Sequence, residues 1–350
     1  MNFRNPSRRD FLAGLGATAF TPFAGNISFA QGFPANPDVA IVGSGPAGLS
    51  AARTLAAAGK TFVVLEADDR KGGRAHTDTT TFPGIPFDRG CAWIHSADRN
   101  PMLPVAKENG FTLRQHHDSI DHVWYGREKF SDAQIKSVKQ IQDEIVKANS
   151  TAAKSRDGAV SEIRPIRSKE EQATATLMGP MDMAVDFHNL SIRDYDEQAE
   201  LEPNYLVKEG FGAVVAKFGE KVPVSIETPV QKIKYSGQGV QLETSKGTVS
   251  AKYAIVTCST GALQSGYIKW DPILPEWKES AIHNIPMALL AKIPLLLDGE
   301  RFGIKPFEDI HLEMPGNQDI YFIAHPFEFP MMIGFVGGDF AWNLSSQGRE

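Results

Sequence analysis

The chain has 350 residues, 36 basic against 42 acidic, for a formal net charge of −6, and 42% of it is hydrophobic. That length allows one large domain or two, the composition is that of an ordinary globular protein, and the charge gives no basis for a nucleic-acid partner. The two cysteines, Cys91 and Cys258, have neither metal-ligand spacing nor the density of a disulfide framework. Both read as small buried thiols, although an exported protein could pair them.

Ser7-Arg8-Arg9-Asp10-Phe11-Leu12 opens the chain as a twin-arginine export signal. A basic start precedes a glycine-interrupted apolar stretch, Phe11–Phe23, and Ser28-Phe29-Ala30 supplies the small residues that a signal peptidase cuts after. Residues 1–30 are therefore assigned to a removable signal and the mature protein to the periplasm. The stretch is too short to span a bilayer, so no stable membrane anchor is expected.

Asp38–Arg74 follows a short linker. Val39–Val42 is an apolar, partly β-branched run of the kind found in a buried parallel strand. Gly43-Ser44-Gly45-Pro46-Ala47-Gly48 comes next and opens an Ala/Leu-rich helical run to Ala58; Phe62–Leu65 is a second strand, ending on Glu66. In such a βαβ unit Gly43 permits the tight turn, Gly45 lets a pyrophosphate approach the backbone, and Gly48 lets helix and sheet pack closely. Pro46 and Ala47 start the helix, whose N–H groups and positive end favour phosphate. Glu66 can accept hydrogen bonds from a ribose without a 2′-phosphate. The loop that follows, from Ala67 to Gly72-Gly73-Arg74, adds an arginine fork that suits a second diphosphate contact.

On these residues the sequence resembles the flavin-dependent amine oxidase family: monoamine and polyamine oxidases, L-amino-acid oxidases and tryptophan 2-monooxygenase. The LEAxxxxGGRxxT string behind GxGxxGL carries the resemblance, which covers residues 38–344 and implies FAD held non-covalently. It implies contacts to FAD from Gly43, Gly45, Pro46, Ala47, Gly48, Glu66, Ala67, Gly73 and Arg74. Asp88-Arg89-Gly90-Cys91-Ala92-Trp93-Ile94-His95 is similar to the family string beside the flavin ring, implying backbone contacts from Ala92, Trp93 and Ile94. His95 reads as a hydrogen-bonded structural histidine.

Asn100–Gly110 is predicted as a short helix closed by Gly110. His116–His122 gathers three histidines and two aspartates, but fits no zinc pattern and reads as a polar loop, so no metal is expected. Ser131–Ser155 is predicted helical from its apolar spacing, and Glu162–Asn189 mixed and mostly helical. Val222–Ile226 and Thr228–Ile233 are predicted strands, and the resemblance implies that the Val230 backbone meets the adenine. Val240–Glu243, Gly247–Ser250 and Tyr253–Thr257 read as an alternating meander. Lys292 is the single charge in the apolar run Ile285–Leu297; unaided, it reads as a strand-end lysine whose head reaches water. The resemblance instead implies the lysine that holds a water at the flavin N5, the one catalytic side chain expected. Met331–Gly338 is a last predicted strand, and Ser345–Glu350 reads as the cap and first turn of a helix that is not completed.

The expected architecture is α/β: a GxGxxG, FAD-binding, Rossmann-like domain interleaved with a substrate domain of mixed sheet and helices. The FAD-binding part is placed at 38–95 and 206–262, the helical substrate part at 96–205, and its sheet at 263–350. The resemblance implies oxidation of an amine or amino acid to an imine, with O2 or another acceptor. The family's second glycine-rich flavin motif has no counterpart before Glu350. A truncated reading frame, a second chain that completes the FAD site and a shortened variant all fit this, and truncation is favoured. The alternatives to the oxidase are an inactive or partner-completed subunit and a tryptophan 2-monooxygenase-like decarboxylase. A carotenoid-desaturase-like or porphyrinogen-oxidase-like enzyme shares the first motif, but the export signal and the Ala92–His95 string argue against it.

Overall fold

The structure is a computed structural model that describes residues 33–117, 120–198, 202–314 and 318–347. The export signal, Asp118, Ser119 and the last three residues lie outside the described residues. The chain divides into two compact units: one holds 33–73, Gly219–Cys258 and Tyr267–Leu274, the other Arg74–Phe218, Ser259–Gly266 and 275–347.

In the first unit Val39–Val42 is flanked by Phe62–Leu65 and Tyr253–Val256, both parallel to it. Both of the first two strands are buried along their whole length, which is why they read as unbroken apolar runs rather than alternating ones. Helix α1, Pro46–Ala57, joins them. A second sheet runs in the order Gly247–Ala251, Val240–Thr244, Val230–Lys234, Lys269–Asp271. Its buried side (Val230, Ile233, Leu242, Val249) shares one core with Ala40, Val42, Val63 and Leu65.

Two expectations change here. Val222–Ile226 is no strand: Ser225 makes a single bridge to Leu65. Pro223 lacks an N–H to donate, and Glu227, at φ 49°, turns the chain away. The meander is also different, because Tyr253–Val256 leaves the hairpin of Val240–Thr244 and Gly247–Ala251 to pair in parallel with Val39–Val42.

The second unit is built on a six-stranded sheet in the order Leu290–Leu296, Met331–Gly337, Ile320–Ala324, Asp309–Glu313, His122–Tyr125, Glu128–Lys129. Its register places Lys292 opposite Phe335, Phe335 opposite Tyr321, and Tyr321 opposite His311. Pro294 is tolerated because its strand is the sheet edge. A three-stranded sheet sets Trp93–Ile94 and Leu113–Gln115 on either side of Tyr205–Val207.

Helices pack around these sheets. α2 is Met102–Glu108; α3 is Asp132–Ala153, opened by a Ser131/Gln134 capping box and burying Val138, Ile141 and Ile145. α4 is Lys169–Thr176, continued by a π turn, Leu177–Met181. The short α5 is Ile192–Glu197, α6 is Phe211–Phe218, α7 Thr260–Gln264 and α8 Glu276–His283.

Three further expectations are corrected in this unit. The last helix, α9, is Gly338–Ser346, so Ser345 and Ser346 end a helix instead of starting one. His116 is not a loop residue in water: it is buried, with Nε2 3.3 Å from Asp309 Oδ1. Cys91 is exposed; across both units the two cysteines are free, and Cys258 is half-buried.

Candidate functional site: a glycine turn with its acid, and a clamped lysine

In the first unit the GxGxxG turn and the loop after Glu66 fold onto each other. Gly43 has φ 100° and Gly45 is the extended N-cap residue of α1, with Pro46 pre-set for the first helical position. A Cβ on Gly48 would lie 2.0 Å from the Gly43 carbonyl oxygen, whereas one on Gly45 would meet nothing within 4 Å. Gly48 is thus needed for packing, and Gly45 faces open space at the positive end of α1. A phosphate-bearing group fits such a cradle.

Glu66 is held directly against this turn. Its Oε2 accepts from the Ser44 N–H and from the Ser44 hydroxyl, both at 2.7 Å, and its Oε1 accepts from the Asp68 N–H at 3.0 Å. The Gly72 N–H donates to the Ser44 carbonyl at 3.0 Å, and a Cβ on Gly73 would stand 3.3 Å from Gly45 Cα. Gly72 and Gly73 both have positive φ, which is why this return needs two glycines. The segment entering Val230 is stitched to the same acid: the Glu66 N–H donates to Ser225, and the Thr228 N–H to the Glu66 carbonyl. Ala67 lies exposed beside the acid, and Val230 is buried at the start of its strand. Gly43, Gly45, Gly48, Glu66 and Gly73 therefore come together here, with Pro46 and Ala47 on the first turn of α1. Ser44 and Thr257 were not picked out from sequence. The Thr257 hydroxyl donates to the Val42 carbonyl at 2.8 Å and lies against Gly43.

In the second unit the segment 74–78 runs beside 87–91. Cys91 N–H donates to the Arg74 carbonyl and Arg89 N–H to that of His76, while Thr77 pairs with Asp88. Arg74 itself is exposed. Ala92 and Ile94 are buried, and the Trp93 ring packs 5.8 Å from His95 and 5.5 Å from Phe335. Lys292 does not reach for water: its ammonium donates to the carbonyls of Asp88 at 2.8 Å and Gly90 at 2.5 Å. A small cavity of about 40 Å³ has Lys292, Ala92, Trp93, Leu206 and Phe335 in its walls. Removal from water pushes the Lys292 ammonium down to about 8, against the pull of the Asp88 charge. Burial pushes Asp88 up, opposed by the Thr77 hydroxyl and the N–H groups of Phe211 and Gly212.

With that geometry in view, comparison with known proteins gives the family. A model of the flavin-containing amine oxidoreductases matches residues 46–350. The chain belongs to this family. Human lysine-specific histone demethylase 2 is 29% identical over 74% of this chain and 34% of its own length. Polyamine oxidase 2 of Arabidopsis thaliana is 29% identical over 74% of this chain and 58% of its own. The chain thus spans between about a third and three-fifths of these curated relatives. A solved putrescine oxidase, bound to putrescine, superposes with a TM-score of 0.69 at 19% identity, covering 89% of this chain and 77% of that one. That likeness shows the fold, a Rossmann-like α/β architecture shared with that protein.

Among the described residues no group of three or more His, Cys, Asp or Glu is arranged to hold a metal ion, and no helix is long and apolar enough to cross a membrane.

Proposed function

We propose that the protein is an FAD-dependent oxidoreductase acting on a primary or secondary amine or an amino acid. The observation that carries this reading is the Glu66 carboxylate, fixed by Ser44 at the glycine turn with room left at Gly45. An acid so placed serves ribose hydroxyls and repels a 2′-phosphate. Gly43, Gly45, Pro46, Ala47, Gly48, Ala67, Gly73 and Val230 would hold the adenosine diphosphate non-covalently with Glu66. Arg74, Ala92, Trp93 and Ile94 of the second unit are assigned to the flavin side. Lys292 would hold a water there. Bound flavin supplies the two-electron chemistry: a hydride leaves the carbon bearing the neutral amine, water hydrolyses the resulting imine, and O2 or another acceptor takes the electrons. Lys292 contributes a fixed hydrogen bond and a tunable charge, and no side-chain nucleophile is required.

The matched relatives named for polyamine and putrescine oxidation support an aliphatic amine substrate. Oxidative decarboxylation of an amino acid to an amide, as in tryptophan 2-monooxygenase, is the alternative within the same chemistry. The Ser7–Leu12 motif supports export to the periplasm by the twin-arginine route.

A specific observation favours a second reading, an FAD-binding subunit completed by another chain. Parallel sheets are normally covered on both sides, yet Tyr253–Val256 is an edge strand with Tyr253 68% and Ile255 37% exposed. Purification of the full chain tests both readings. A yellow protein whose flavin bands bleach anaerobically on adding a diamine or an amino acid supports the oxidase. A colourless protein that acquires flavin only with a second polypeptide replaces it with the subunit.

A further inference from the structure

We propose that Asp88 and Gly90 are positioning residues for Lys292, which together fix the direction of its one uncommitted valence. This rests on the reading of Lys292 as the active-site lysine, but its structural part stands on groups within the second unit alone.

An ammonium has three N–H bonds, and Lys292 spends two on the carbonyl oxygens of Asp88 and Gly90. Its backbone is fixed by pairing with Phe335, and Nζ lies 5.5 Å from the centre of that ring. The third valence is therefore aimed by the two carbonyls, and whatever holds them sets its direction.

Both carbonyls are anchored by contacts that the lysine does not make. The Asp88 carboxylate takes the Thr77 hydroxyl at 2.5 Å, the Phe211 N–H at 2.8 Å and the Gly212 N–H at 3.1 Å. It thus caps the first turn of α6, and three converging donors suit the ionised, acceptor-only form. Gly210 and Gly212 allow this approach, since a Cβ on either would fall within 2.4 Å of Thr77. Gly90 is pressed against a second wall: a Cβ there would lie 1.6 Å from the Arg74 carbonyl oxygen. One residue thus supplies a carbonyl held by a helix cap and a charge beside the ammonium; the other supplies a carbonyl held by close backbone packing. The ionisable neighbours of Lys292 are Asp88 and Cys91, with Lys208 on the cavity wall.

The test reads the lysine directly. The full chain is produced with 13Cε-labelled lysine, which leaves all three N–H groups in place, and the Lys292 Cε resonance, identified by its loss in K292R, is titrated by NMR. The wild-type midpoint is expected near 8. In Asp88→Asn it falls by about one unit, because the opposite charge is lost while the backbone carbonyl stays; in Asp88→Glu, which keeps the charge, it returns toward wild type. Should Asp88→Asn fail to fold, Thr77→Val removes one of the three donors and is expected to shift the midpoint the same way, by less. A folded variant whose midpoint stays at the wild-type value overturns the proposal and leaves Asp88 a helix cap only. With flavin bound, the pH profile of amine-dependent bleaching moves with the midpoint. If no amine bleaches the flavin, the oxidase reading fails while the titration still decides the positioning claim.

Discussion

Glu313→Gln should stabilise the protein at neutral pH and leave it unchanged near pH 4. Glu313 and Asp319 are both buried, and the single Thr176 hydroxyl lies 2.8 Å from Glu313 Oε2 and 2.9 Å from Asp319 Oδ2. Asp319 Oδ1 takes the Met314 N–H. One hydroxyl proton cannot serve two carboxylates, so the pair must carry a proton of its own. Burial first, and then the Asp319 charge, holds Glu313 well above the usual carboxylate range. A raised acid binds its proton more tightly folded than unfolded, so its contribution is fully present below about pH 4 and is lost as pH rises toward the folded value. The loss accumulates at ~1.36 kcal/mol for each pH unit climbed between the unfolded carboxylate range and the raised folded value. A neutral amide removes the penalty and can donate to Asp319 in place of the acid proton. Allowing for its imperfect fit, we expect a gain of about 2 kcal/mol at pH 7. Native-state hydrogen exchange of the Asp309–Glu313 and Ile320–Ala324 amides, from pH 4.5 to 8, is the appropriate assay. A chain of two units need not unfold in one step, and exchange reads this sheet alone. A difference between variant and wild type that does not grow with pH would refute the shared-proton argument.

Other expectations concern the glycine turn and one helix start. Glu66→Gln keeps the shape but loses the charge facing Ser44, so flavin affinity should drop roughly 10- to 100-fold, read by titrating the apoprotein with FAD. Gly48→Ala drives a methyl into the Gly43 carbonyl, a backbone atom that cannot step aside; the variant should purify without flavin and with lowered thermal stability. Ser131→Ala removes the hydroxyl that accepts the Gln134 N–H at the start of α3 and keeps the backbone N–H that Gln134 accepts in return, costing about 1 kcal/mol by urea denaturation while leaving flavin content untouched.

What could be read in advance follows from how far each signal travels along the chain. The βαβ unit was legible because every instruction is local. An unbroken apolar run means a strand buried on both faces; Gly43 and Gly48 stand where φ or packing forbids a side chain; and Glu66 ends the next strand. The lysine clamp was not legible, since Lys292 is bound by carbonyls of Asp88 and Gly90, and every residue type has a carbonyl. The start of α9 was missed for a similar reason: its first N–H groups are served from far along the chain, that of Gly338 by the Ala184 carbonyl and that of Asp339 by the Asp186 carboxylate, 153 residues away. Asp309-Ile310-His311-Leu312-Glu313 misleads in another way. Its alternation signals one wet face, yet Asp309, His311 and Glu313 are all buried. Polar side chains on a covered sheet face are costly unless each finds a partner, and these do: Tyr321 donates to Asp309, and Thr176 lies within hydrogen-bond reach of Glu313. Such a face is ordered by pairings across the sheet, so its chemistry becomes readable only once the strand register is known.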